Sequence, residues 1–159
     1  MEKFEEEFIN FFSNVGKNLG MDELPMRVFS IMYMEPDDMT MDDIATKTGY
    51  SIPSISNTMK FLEGMRIVHR NKKPGSRKIY FSVERNLAKM NINKLEATNE
   101  TMVQPTKLYF PEILKHKPKD NKSKEKLKIL KDYYDQMIEF EGLLEKWRKD
   151  LEELAKKRL

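Results

Sequence analysis

The chain has 159 residues, 39% hydrophobic and 35% charged, with a formal net charge of +3; this suits one domain with an appendage and long, solvent-washed helices. It has no cysteine, which excludes disulfides, thiolate-held metals and a cysteine nucleophile, and its two histidines, His69 and His116, lack partners at metal-ligand spacing, so no metal and no cofactor is expected. No apolar run approaches the ~18 residues of a membrane span, and the acidic start MEKFEEEF does not read as a signal peptide, so a cytoplasmic protein with no membrane partner is expected.

Phe4, Phe8, Phe11, Phe12, Val15 and Leu19 recur at helical steps and predict a helix over about 2–19, stopped by Gly20. A second helix opens near Asp22 and ends before EPDD at 35–38. Thr40 then caps a short helix, with Asp43 three residues on in a capping-box-like arrangement. Gly49 takes a tight turn, and Ser51 caps the next helix with Pro53 in its first turn. Ile52, Ile55, Met59 and Leu62 form that helix's inward stripe, and Gly64 ends it. Strands of about 67–72 and 78–84 follow, paired across KPGSR. Helix, glycine turn, helix and basic hairpin together predict a winged helix-turn-helix.

Residues 87–121 read as a helical connector broken by Pro105 and Pro111. From 122 a long helix runs to the end, with a near-heptad seam through Leu130, Tyr134, Met137, Phe140, Leu144, Trp147 and Leu151. It is longer than a small core needs, so the seam is expected to meet a second chain together with Phe4, Phe8 and Phe11 of the first helix. The expected fold is mainly α with a small β-hairpin wing. It comprises a dimerising N-terminal helix (1–20), a winged helix-turn-helix (21–86), the connector (87–121) and a coiled-coil-like dimerisation helix (122–159).

Charge is strongly segregated. Residues 1–63 hold 5 basic and 12 acidic side chains, whereas residues 64–94 hold 9 basic and 1 acidic. Another 8 basic side chains against 2 acidic fall within 115–131, read as a solvated connector and helix start. Such concentration suggests a polyanion partner. The outward face of 51–63 carries Pro53, Ser54, Ser56, Asn57 and Lys60, short and neutral or positive, which suits a major groove. Ser54, Asn57 and Pro53 are expected at base edges, with Ser56 and Lys60 at phosphates. In the hairpin, Arg70, Lys72, Lys73, Arg77 and Lys78 have no carboxylate between Gly64 and Val83 to pair with, and are expected at phosphates or in the minor groove. With few glycines, no phosphate loop and no histidine relay, an enzyme is not expected.

TGYS before the recognition helix, FLEGMRIVHR after it and PGSRKIYF in the wing resemble the MarR-like winged-helix transcription regulators, specifically their GbsR-type branch. The resemblance covers roughly residues 1–95 and is architectural beyond that. It implies a homodimer with interlocked terminal helices that binds double-stranded DNA, usually as a repressor, and is released by a small ligand. In this branch the ligand class is choline or glycine betaine. The wing departs from the wider family in lacking its Asp-x-Arg element. A quaternary ammonium needs an aromatic cage, for which Phe11, Phe12, Phe29, Tyr33, Tyr109, Phe110, Tyr133 and Tyr134 are the available rings. The competing reading is a winged-helix adaptor that binds another protein and no specific DNA sequence. RNA binding is disfavoured, because only Tyr80 and Phe81 interleave with the basic residues.

Overall fold

The computed structural model describes residues 1–157. The chain divides into two compact units, one ending at Met90 and the other beginning at Asn91.

The first unit runs α1 (Lys3–Asn18), α2 (Glu23–Met34), β1 (Met39–Thr40), α3 (Met41–Thr48), α4 (Ile52–Gly64), β2 (Val68–Lys72) and β3 (Ile79–Val83). The three strands form an antiparallel sheet in the order β1-β3-β2. Its core joins Val28, Phe29, Ile44, Ile55, Met59 and Phe81, so α2, α3, α4 and the sheet share one apolar centre. Thr40 caps α3 as its spacing predicts. Its hydroxyl accepts from the Asp43 N–H at 3.3 Å, and the Asp43 carboxylate accepts from the Thr40 N–H at 2.8 Å and hydroxyl at 2.6 Å. These bonds to Thr40 hold the Asp43 carboxyl below its ordinary value, helped by nearby Lys78 and Lys47. Gly49 closes α3 at φ 75°, left-handed backbone where a side chain would be strained.

Four details differ from the sequence reading. The two-residue strand β1 is made by pairing, Met39 with Phe81 and Thr40 with Tyr80, and is too short for any alternation to reveal. Ile52 is 41% exposed at the start of α4, while Thr58 is buried in its stead, so the inward stripe begins at Ile55. α4 ends at Gly64 as the sequence predicts, but this glycine is not the residue in the left-handed conformation. Arg66 takes the left-handed position at φ 57°, with its N–H on Glu63 O and the Ile67 N–H on Leu62 O, a Schellman arrangement on a non-glycine residue. Finally, α1 buries Ile9, Ser13 and Gly16, leaving Phe4 and Phe11 exposed and Phe8 half-buried. Gly16 sets that orientation: a Cβ there would lie 2.3 Å from Met26 Cγ, so only glycine lets α1 lie this close to α2.

α5 (Leu87–Thr98) leads into the second unit. There a π-helical turn (Asn99–Val103), α6 (Gln104–Leu114) and α7 (Asn121–Lys156) follow. The connector read as breaker-rich is thus helical over most of its length, with Pro105 in the first turn of α6, where its missing N–H is harmless. Leu95, Val103, Met137 and Leu144 form this unit's core, with Leu151 packed against it. The Glu141 carboxylate of α7 accepts from Lys107 at 2.8 Å and Gln104 at 3.2 Å, tying α6 to α7. α7 itself has 36 residues, about 54 Å of helix.

Candidate nucleic-acid interface

The helix α4 is held from below by Ile55, Met59 and Leu62, all within 1% of full burial. That orientation turns Pro53, Asn57 and Lys60 fully outward and leaves Ser54 and Ser56 half-buried. Ser51 is the N-cap, its hydroxyl 3.0 Å from the Ser54 hydroxyl. Ser54, Asn57 and Phe61 line a groove of about 600 Å³ against the turn Gly20–Pro25. Phe61 is 45% exposed and was not anticipated; it falls outside the inward 3-4 stripe, which was the available signal.

Beside α4, β2 and β3 pair from Val68–Val83 to Lys72–Ile79 and enclose the wing loop. At its tip the Ser76 N–H bonds Lys73 O at 3.1 Å across Pro74 and Gly75, the latter at φ 75°. Proline second and positive-φ glycine third is the requirement of a type II turn. Lys72, Lys73, Arg77 and Lys78 are exposed around this tip, and none forms an ion pair among the described residues. The Lys73 ammonium rests 4.5 Å from the centroid of the Tyr80 ring.

Arg70 is arranged otherwise. Its guanidinium grips both carboxylate oxygens of Glu63, Nε and Nη2 each at 2.9 Å, and lies 5.5 Å from the Phe81 ring centroid. The pair raises the Arg70 pKa above its ordinary value. The absence of acids within the hairpin therefore does not leave Arg70 unpaired: the carboxylate comes from the last turn of α4, seven residues upstream. A bidentate fork fixes geometry as well as charge, so the ion pair joins the base of the wing to the end of α4.

The long seam read on α7 divides into two faces. Met137 and Leu144, expected between two chains, are instead enclosed in the chain's own core; Tyr134 and Leu151 are half-buried. Phe140 and Trp147 point away from that core and stay 39% and 55% exposed, as does Leu130 at 39%. The physical reason is that α5 and the π-helical turn supply Leu95 and Val103 as partners for one stripe of α7. The aromatic residues gather in two clusters, one per unit. Phe8, Phe11, Phe12, Phe29 and Tyr33 pack ring against ring in the first, and Phe110 packs with Tyr133 and Tyr134 in the second, while Tyr109 is exposed.

No protein-family model matches the sequence, and no curated protein sequence matches it. Among solved structures, one described as a transcriptional regulator is similar with a TM-score of 0.73, covering 96% of this chain and 98% of its own at 16% identity. At that identity the likeness establishes the fold: a mainly helical winged helix with a small three-stranded antiparallel sheet. Two structures of the Staphylococcus aureus regulator MepR, free and in complex with DNA, align at 14% and 12% identity with TM-scores of 0.43 and 0.42. Each covers 84% of this chain, and 93% and 92% of its own respectively, and at these scores neither carries an argument. No described helix is long and apolar enough to cross a membrane.

Proposed function

We propose that this protein is a homodimeric, sequence-specific regulator of transcription that binds double-stranded DNA, with α4 in the major groove and the wing on the adjoining backbone or minor groove. The observation that carries this reading is one surface feature. The outward polar face of α4 lies beside a protruding turn whose four exposed cations, Lys72, Lys73, Arg77 and Lys78, form no ion pair among the described residues. Phosphates satisfy such cations. Asn57 is the residue for an adenine, Ser54 and Pro53 reach neighbouring base edges, and Phe61 suits a thymine methyl. Ser56 and Lys60 take phosphates. Arg70, held by Glu63, orients the wing instead of contacting DNA.

The likeness to a solved transcriptional regulator over nearly the whole chain supports the same class. The motifs TGYS, FLEGMRIVHR and PGSRKIYF favour the GbsR-type branch of MarR-like repressors. In that branch a choline-like effector would release the DNA, and the rings of Phe110, Tyr133 and Tyr134 are where its binding should be sought, by titrating choline and glycine betaine against the protein–DNA complex. Work in the cytoplasm follows from the proposed role.

The test is selection from a random duplex pool. A near-palindrome with half-sites one turn apart, bound by two chains, is expected. A pool with no enriched sequence would leave the adaptor reading in its place.

A further inference from the structure

We propose that the lysine-rich tip of the α6–α7 hairpin is a second, sequence-independent site for duplex DNA, holding the phosphates of a segment other than the one read by α4. The proposal adds a surface to the reading above and rests on it for the first duplex alone.

Residues 115–131 hold eight lysines, no arginine and two acids. Lys115 pairs with Glu112 and Lys131 with Asp135. Lys117, Lys119, Lys122, Lys124, Lys126 and Lys128 are exposed and form no ion pair among the described residues. One of the two acids, Asp120, is taken up as the N-cap of α7, its carboxylate accepting from the Ser123 N–H at 2.7 Å. Only Glu125 is left to offset the six. The lysines line both flanks of the hairpin: Lys124 and Lys128 rim a groove of about 620 Å³, and Lys117, Lys119 and Lys126 rim another of about 400 Å³.

This placement works against the isolated chain. Lys122 and Lys126 are like charges one helical turn apart, as are Lys124 and Lys128. All four lie near the start of α7, where the helix dipole is positive, and its first turn holds no acidic side chain. A row of phosphates relieves both penalties.

Composition selects the kind of polyanion. Lysine is a point charge for phosphate and lacks the fork with which arginine grips carboxylates and base edges, so the tip reads no sequence. The stretch has no Phe, Tyr or Trp. The bases of a single strand therefore find nothing to stack on, and a lipid surface finds no interfacial anchor. A duplex needs neither, and offers a phosphate charge about every 1.7 Å. From Asn91, helix follows helix without a break to Leu114, about 36 Å of helical chain. A site that far along the chain serves a separate segment.

The test uses the full-length protein, wild type and a variant carrying Lys119→Gln, Lys122→Gln, Lys124→Gln and Lys126→Gln, all at exposed positions. A duplex with the selected site is fixed to beads, protein is bound, and a labelled duplex of random sequence is added. Wild type should capture the second duplex; the variant should bind the bead duplex equally well and lose the capture. Equal capture by both would overturn the tip as the site. Capture by neither would overturn DNA as its partner, and retention of wild type but not the variant on phosphatidylserine vesicles would then assign the lysines to a lipid surface. If no site can be selected, the reading above falls and the tip is judged alone. Anisotropy on a random duplex, with Lys72→Ala, Lys73→Ala, Arg77→Ala and Lys78→Ala in place, should then give a salt slope that the four glutamines make shallower by about 3.6 per chain. An unchanged slope would overturn the tip as well.

Discussion

Exchanging Arg77 and Arg70 separately for alanine tests whether the wing is a phosphate clamp. Both residues are arginines of one hairpin, and net charge falls by one in either variant. Their surroundings differ: Arg77 is exposed without an ion-pair partner, whereas Arg70 is forked onto Glu63. Each chain offers Lys60 on α4 and Lys72, Lys73, Arg77 and Lys78 on the wing as free cations, hence roughly ten phosphates per dimer. Counterion release at about −0.9 per phosphate gives a slope of log K against log salt near −9, and a loss of about 10⁵ in affinity between 50 and 200 mM salt. Arg77→Ala should make that slope shallower by about 1.8 per dimer. Arg70→Ala should leave the slope nearly unchanged. Its cost is mechanical: it removes a half-exposed ion pair worth about 1 kcal/mol or less and frees the wing base from α4, weakening binding evenly across salt. Fluorescence anisotropy on the selected site, from 50 to 300 mM salt, separates the two. Equal slopes for wild type and Arg77→Ala, or a larger change for Arg70→Ala, would refute the assignment of these cations.

The remaining predictions concern the scaffold. Gly16→Ala gains up to about 1 kcal/mol of helix propensity, but drives a methyl into Met26 Cγ, an overpacking cost of about 1–3 kcal/mol. Urea denaturation should therefore show net destabilisation, relieved when Met26→Ala is added. Thr40→Ala removes the α3 cap and should cost about 1 kcal/mol. Asp43 has a depressed pKa, so its contribution is fully present above the ordinary value of 3.8 and is lost as the pH falls through its lower folded value. The stability lead of wild type over Asp43→Asn should accordingly hold flat at neutral pH and shrink only under acid, as followed by thermal melts from pH 7 to pH 2.

Elements announced by local chemistry were legible from the sequence. Thr40 with Asp43, Gly49, and Ser51 with Pro53 each satisfy orphan backbone groups or special φ within a few residues, so their meaning does not depend on the rest of the fold. The Pro74–Gly75 tip belongs with them. What stayed hidden depends on partners distant in sequence. β1 exists only because β3 lies beside it. Arg70 finds Glu63 only once helix and strand are docked, and the outward aromatics of α1 become outward only because Gly16 admits Met26. On α7 the apolar residues form one broad face, and periodicity alone cannot divide it. The division is set by Leu95 and Val103, which claim Met137 and Leu144 and leave Phe140 and Trp147 outside.

The same partition explains how a chain of net charge +3 presents a strongly positive surface. Its acids are largely engaged near where they occur. The Glu5 carboxylate accepts from the Glu2 N–H, Glu35 holds Lys47, Asp43 serves the α3 cap, and Glu63 holds Arg70. The cations at the wing tip form no ion pair among the described residues. Local neutralisation of the acids matters because screening confines exposed charge to about 8–10 Å at physiological salt. Within that distance of the tip an approaching duplex meets Lys72, Lys73, Arg77 and Lys78, and the Asp43 carboxylate near Lys78 is taken up by the Thr40 cap. The field at contact is therefore that of the wing, and the net charge of the whole chain has little bearing on it. Replacing Glu63 with glutamine should make this visible. The Arg70 charge would be released next to α4, and the salt slope should steepen towards that of one additional phosphate per chain. An unchanged slope would mean that Arg70 stays turned away from DNA even when unpaired, with Phe81 alone sufficient to hold it.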